Sequence, residues 1–149
     1  MRDNSLNKNS TFSISVMYTK KLAWIAQIAV AVIIGQTLFF KFSDSPETIA
    51  LFAELGLGAL HYKAIGVLEL IAVALILIPK SAIYGALLSF GLMSGALFAH
   101  ITVLGFTGTH GTIGILGIVA WILSTAVIYF RRNEIPFASR IFGSRQAAA

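Results

Sequence analysis

The chain has 149 residues, of which 57% are hydrophobic and 11% charged, whereas soluble domains carry about 25% charged residues. No charged residue lies between Lys21 and Lys41 or between Lys80 and Arg131, so the surplus apolar surface predicts a membrane protein. The net charge of +5 comes from basic residues that flank apolar runs, and this distribution argues against a nucleic-acid partner. The absence of cysteine excludes a disulfide, thiol exchange and a metal bound through cysteine sulfur.

The composition divides the chain into three regions. Residues 1–19 are polar and rich in Ser and Asn, so we expect a disordered N-terminal tail, and Met17 is an alternative translation start. Residues 20–132 form the predicted membrane domain. Residues 133–149 form a basic C-terminal tail.

Four apolar runs lie within the predicted membrane domain, at residues 22–40, 62–78, 82–104 and 112–130. The first run corresponds to roughly 28 Å of helix, close to the hydrocarbon thickness of a bilayer. It is longer than the about 7–15 apolar residues of a signal-peptide core, so we expect an anchor. Only a tight turn at Pro79 separates the second run from the third. The predicted fold is therefore all-α, an antiparallel bundle of four transmembrane helices.

A short amphipathic helix is predicted between the first and second spans, at residues 46–55. Ser45 is a favourable N-cap, Pro46 suits the first helical position, and Glu47 lies at the positive end of the helix dipole. Ile49 and Phe52 are expected on the same, apolar side of this helix. Such a helix would lie on the membrane surface or cover the end of the bundle.

The positive-inside rule sets the predicted topology. With the N-terminus inside, nine of the eleven Lys and Arg residues fall on the cytoplasmic side, and only Lys41 and Lys63 fall outside. We therefore expect both termini in the cytoplasm.

Glu69 is the most informative residue, because an acidic side chain inside a span costs roughly 2.5–3.5 kcal/mol on insertion scales. Either it is a structural group that ties helices together, or it belongs to a proton-transfer or ligand-binding site. Counted along their spans, Gln36, Glu69 and His100 fall at one depth in the outer half of the membrane. We expect these three candidates for ligand or proton handling to form a cluster, the alternative being that His100 faces the lipid headgroups alone. Gln27 is half a turn out of phase with Gln36, so we expect it to point elsewhere and to join no cluster.

No metal site is predicted. The three histidines, His61, His100 and His110, match no ligand spacing known for zinc or haem.

Small residues repeat every four positions in the third span, at Gly91, Gly95 and Ala99. Such a face is typical of close helix contacts in membranes. We expect it to support packing of the bundle, and it is also compatible with a homo-oligomer.

Three stretches resemble the DoxX-like family of small four-helix membrane proteins: residues 35–42 (GQTLFFKF), residues 66–70 (GVLEL) leading to Pro79, and residues 85–96 (GALLSFGLMSGA) continuing to His100. Some members of that family look like subunits of quinone-linked sulfur oxidoreductases or of complexes of redox and thiol homeostasis. The resemblance implies an accessory subunit of such a complex in the inner membrane of a prokaryotic cell, with other redox subunits as partners and a quinone as the candidate ligand. Without cysteine, a stand-alone thiol enzyme is disfavoured. The alternative is a membrane scaffold or assembly factor in which the polar cluster only fixes helix packing.

Overall fold

A computed structural model describes the backbone of residues 3–132 and the side chains of residues 17–132. The regular elements of this region are all helical: α1 (Asp3–Phe42), α2 (Pro46–Glu54), α3 (Ala59–Leu77), α4 (Ala82–Ala99) continued by a π-helical turn (His100–Leu104), and α5 (Gly108–Arg131). Four segments are long and apolar enough to cross a membrane: Met17–Phe42, Ala59–Leu77, Ala82–Leu104 and Gly108–Arg131. The all-α prediction with four spans is confirmed.

The four spanning helices form a closed ring in which each packs on two neighbours. Helices α1 and α4 each pack against both α3 and α5. Large apolar side chains such as Ile25, Val32 and Phe98 point outward and are exposed, as expected for surfaces that contact lipid. We call the end of the bundle that carries α2 the α2 end, and the opposite end, with the α3–α4 connection at residues 78–81, the turn end.

Small and β-branched side chains fill the centre of the bundle. This core consists of Ala26, Val30, Ala31, Ile34, Ile76, Ala86, Met93, Ala120 and Val127. A second apolar cluster, Leu51, Phe52, Tyr62 and Leu104, lies beneath α2. The short helix therefore covers the end of the bundle.

The start of α2 follows its sequence signals. The Ser45 side chain accepts a hydrogen bond from the backbone N–H of Thr48 at 3.2 Å, and Pro46 is the first helical residue. The buried side chains are Leu51 and Phe52, while Ile49 is 47% exposed. The packed face of this short helix is therefore centred on Leu51 and Phe52 and does not include Ile49.

Close contact between helices occurs at Gly85 and not at the predicted glycines. A Cβ atom at Gly85 would overlap the backbone of Ile76 in α3. At Gly91 and Gly95 a Cβ atom would meet nothing within 4 Å, and both residues are exposed. Gly91 and Gly95 therefore point away from the bundle, whereas Ala99, the third residue of the predicted face, packs against the apolar cluster beneath α2.

The first helix is longer than expected. It begins at Asp3, so the backbone of residues 3–19 is helical where a disordered tail was predicted. A helix that is already nucleated extends at little cost per residue, and a polar composition opposes burial more than it opposes helix formation. The basic C-terminal tail, residues 133–149, lies outside the described residues.

Candidate functional site

Glu69 lies in α3 on the inner face of the bundle and is 2% exposed. The Nζ atom of Lys41 in α1 donates to both carboxylate oxygens, at 2.9 Å to Oε1 and 2.8 Å to Oε2. The hydroxyl of Thr37 lies 3.2 Å from Oε2 and 2.8 Å from the carbonyl oxygen of Ile34. Since that hydroxyl has one proton, its two contacts compete. Lys41 is thus the main partner of Glu69.

The local sequence explains how this pair forms. Thr37 and Lys41 are four residues apart and lie on the same side of α1. On α3, Gly66 precedes Glu69 by three residues, and a Cβ atom there would lie 3.6 Å from the Cδ atom of Lys41. The stem of Lys41 therefore passes next to α3 at Gly66, at ordinary van der Waals distance from where a Cβ atom would lie. Pairing removes the cost of an isolated charge in the membrane interior.

Gln36 does not join Glu69. Its side chain is exposed on the outer surface of α1, whereas the neighbouring Thr37 faces inward. One residue corresponds to about 100° of helix rotation, so counting depth along the span did not fix the direction of the side chain. The prediction that Gln36 belongs to the cluster was wrong.

Lys41 was not predicted as a site residue, because a lysine at the end of a span usually extends to the membrane interface. An acidic residue inside the membrane at the same depth is nevertheless a sequence signal that a cation pairs with it.

His100 is the first residue of the π-helical turn and is 4% exposed. Its Nδ1 atom lies 3.0 Å from the carbonyl oxygen of Ala96. Because a carbonyl only accepts, Nδ1 donates this hydrogen bond, and in the neutral imidazole Nε2 is then an acceptor. This Nε2 atom is buried and has no hydrogen-bond partner among the described residues. The predicted contact with Glu69 is therefore not formed, since the hydrogen-bond partners of the Glu69 carboxylate in the described part of the chain, Thr37 and Lys41, come from α1 and not from α4.

The surroundings of His100 are aromatic and tightly fitted. The Phe106 ring lies with its centroid 5.6 Å from that of the imidazole. A Cβ atom at Gly114 in α5 would come within 2.8 Å of the His100 Cδ2 atom and of the Phe106 ring. The imidazole therefore fills a niche that a glycine in α5 makes possible. Single π-helical turns occur frequently at functional sites.

A second polar network joins three helices near the turn end. Gln27 is fully buried, and its Nε2 atom donates to the carbonyl oxygen of Ile76 at 2.8 Å. Arg131 donates from Nη2 to Gln27 Oε1 at 3.0 Å and from Nη1 to the carbonyl oxygen of Pro79 at 2.9 Å. The last carbonyls of a helix have no partner within it, and these side chains supply partners. Gln27 does take part in a cluster, contrary to the prediction. The sequence signal that could have indicated this contact is the position of Gln27, a polar residue in the middle of a run without charged residues.

Two polar contacts hold the α2 end together. Asp44, in the α1–α2 connection, accepts from the Tyr62 hydroxyl at 2.7 Å and from Lys63 at 3.0 Å. The hydrogen bond from Tyr62, and then the contact with Lys63, lower the pKa of Asp44 below its ordinary value of 3.8. His110 in α5 lies 3.3 Å from Glu54 at the end of α2.

Among the residues with described side chains, no group of three metal-ligating residues is close enough to hold a metal ion.

Comparison with known families agrees with this architecture. A family model for the DoxX-like family matches residues 25–123, about two thirds of the chain. The chain belongs to the DoxX-like family. Lys41, Glu69 and His100 lie within the matched segment of this DoxX-like protein, whereas Arg131 lies beyond it. No curated protein and no solved structure matches the chain.

Proposed function

We propose that this DoxX-like protein is a non-catalytic, ligand-binding subunit of a quinone-linked redox or thiol and sulfur complex in a prokaryotic inner membrane, with both termini in the cytoplasm. The observation that carries the proposal is the buried Nε2 acceptor of His100, which lacks a partner among the described residues. The resemblance to family members associated with quinone-linked sulfur oxidation supplies the redox context.

The chemistry of His100 suits a quinol. Leaving a buried acceptor unsatisfied costs about 1–3 kcal/mol, and a ligand that donates a hydrogen bond to Nε2 would recover this cost. A quinol hydroxyl donates such a bond. The Phe106 side chain covers the imidazole from a loop bounded by Gly105 and Gly108, both of which have positive φ angles. A change in that loop would expose Nε2 to a ligand arriving from the membrane.

Glu69 has a different role in this proposal. Both of its oxygens are bound by Lys41, so its charge is already neutralised, and we assign it to helix packing. Of the three residues predicted to handle ligand or protons, His100 is therefore the one proposed to do so. Because the chain has no cysteine, any thiol step belongs to a partner subunit.

A scaffold or assembly factor is the second candidate. It is favoured by the pairing of Glu69 with Lys41, since a polar group satisfied inside the protein needs no ligand. In this case α2 offers a partner surface, because Ile49 is 47% exposed on a helix at the end of the bundle. The two candidates differ in whether a ligand binds at His100.

Native mass spectrometry of the gently solubilised protein separates the two candidates. We expect a lipophilic mass that matches a quinone, or a co-purifying redox subunit, on the wild-type protein. His100→Leu should lose the quinone mass, and Gln36→Leu, which removes an exposed amide at similar depth, should keep it. A bare protein or one carrying only phospholipid would overturn the ligand-binding proposal in favour of the scaffold.

A further inference from the structure

We propose that a pocket at the turn end binds the headgroup phosphate of an acidic phospholipid. The pocket has a volume of about 490 Å³ and lies between the start of the α1 span, the α3–α4 connection and the end of α5. Its lining consists of Thr19, Lys20, Ala23, Pro79, Lys80, Phe130 and Arg131. It lies at the opposite end of the bundle from the His100 niche and does not depend on the proposed quinone site.

The charges at this end are all positive within the part of the chain whose side chains are described. Five cations cluster there: Lys20, Lys21, Lys80, Arg131 and Arg132. The acidic side chains of the described region are Asp44, Glu47, Glu54 and Glu69, and all lie in the α2 half of the bundle. The side chains of Lys20 and Lys80 form no hydrogen bond or ion pair with any other residue that the structure describes. An anion from outside the bundle would therefore be attracted to this pocket.

Arg131 gives the pocket a fixed cationic wall. Its side chain is 8% exposed and is oriented by the carbonyl oxygen of Pro79 and the amide of Gln27. The guanidinium carbon also lies 5.9 Å from the centre of the Trp24 ring. Because these contacts already order the guanidinium, its charge can act on an anion with little further loss of conformational freedom. Lys20 and Lys80 then provide the mobile ammonium groups that contact the phosphate.

The position of the pocket favours a lipid over a dissolved anion. The pocket opens where the spanning helices end, at the level of lipid headgroups, and basic pockets of this kind between transmembrane helices bind acidic headgroups. Ala23 and Phe130 add an apolar wall that can contact the glycerol backbone and the first acyl carbons. Exposed Leu22 and Ile78 continue this apolar surface nearby. Inorganic phosphate would gain only the electrostatic part of the interaction.

The test is delipidated protein titrated with dioleoyl-phosphatidylglycerol or dioleoyl-phosphatidylcholine and examined by native mass spectrometry. We expect at least about fivefold more retained phosphatidylglycerol than phosphatidylcholine, and Lys20→Gln/Lys80→Gln should lower phosphatidylglycerol retention about tenfold, because these two side chains line the pocket and a cation in contact with an acidic headgroup contributes to its binding. The matched control is Lys21→Gln/Arg132→Gln, which removes the same charge at the same end from residues that do not line the pocket. It should retain the lipid like the wild type.

A second arm separates lipid from free phosphate. Phosphatidylglycerol should raise the melting temperature of the wild-type protein, and inorganic phosphate should not. Equal retention of the two lipids, equal loss in the two double variants, or stabilisation by phosphate as large as that by phosphatidylglycerol would each overturn the proposal. If Lys20→Gln/Lys80→Gln does not fold, Lys20→Arg/Lys80→Arg replaces it and must retain phosphatidylglycerol at the wild-type level.

Discussion

Lys41 and Glu69 form a two-point ion pair that joins α1 to α3, with the lysine Nζ atom 2.9 Å and 2.8 Å from the two carboxylate oxygens. The lysine side chain is 12% exposed and that of the glutamate 3%. The pair is neutral overall, so two charged groups can occupy the bundle interior without an isolated charge. It is a contact between residues far apart in sequence, and it fixes the rotation of one helix relative to the other.

Removing one member of this pair should destabilise the protein. For Lys41→Met or Glu69→Leu alone we expect a loss of about 2–3 kcal/mol in the free energy of unfolding, because the remaining charge stays partly buried without its partner. The double variant Lys41→Met/Glu69→Leu should be closer to wild type than the sum of the single losses. Unfolding by SDS titration in mixed micelles measures all three. Strictly additive losses would show that the two residues are not coupled.

The network at the turn end should also contribute to stability. Gln27→Leu removes the partner of the Ile76 carbonyl oxygen and one partner of Arg131, so we expect a loss of about 1–3 kcal/mol. Gln36→Leu is the matched control, because it removes an exposed amide from the same helix and should change stability little. The same SDS titration compares them. Equal stabilities of the two variants would contradict the role assigned to Gln27.

Glycine should be required at Gly85 and dispensable at Gly91. Gly85→Ala places a Cβ atom against the Ile76 backbone, so α4 must move away from α3 at a cost of about 1–3 kcal/mol or more. Gly91→Ala meets open space and should stay within about 1 kcal/mol of wild type. Thermal unfolding in detergent provides the comparison. A larger loss at Gly91 than at Gly85 would mean that the exposed face is packed in the native protein.

Asp44 should make stability depend on acidic pH. Its folded-state pKa lies below the ordinary value of 3.8, chiefly because Tyr62 donates to the carboxylate and then because of Lys63. The stabilisation is therefore present above about pH 4 and is lost as pH falls through the folded-state pKa. Asp44→Asn tolerates the positive φ of 52° at this position and should flatten the dependence of melting temperature on pH in the acid range. An unchanged acid slope would contradict the assignment.

The four membrane spans could be predicted from the sequence because a bilayer requires long apolar helices. Runs without charged residues show directly where these helices lie. The start of α2 followed from the capping chemistry of Ser45 and Pro46. The depth of Glu69 relative to the first span was also predictable, since the helical rise is constant and Glu69 meets Thr37, the neighbour of Gln36. These features depend on local sequence.

The direction of each side chain was not predictable in the same way. Gln36 and Thr37 have nearly the same depth, yet only Thr37 faces Glu69, because helix rotation is set by packing at distant positions such as Gly66 and Gly85. The π-helical turn at His100 shifts the register of the chain at the end of α4, and no local sequence motif predicts this turn. Gln27 and Arg131, 104 residues apart in sequence, meet only through the closed ring of helices.

The separation of roles between Glu69 and His100 is the central claim, and ligand retention by two folded variants tests it most directly. Native mass spectrometry would compare Lys41→Met/Glu69→Leu, which keeps the bundle neutral, with His100→Leu, after circular dichroism has shown that both are helical. We predict that the double variant keeps the quinone mass and that His100→Leu loses it. Loss of the quinone from the folded double variant, with retention in His100→Leu, would contradict the claim and assign ligand binding to the ion pair.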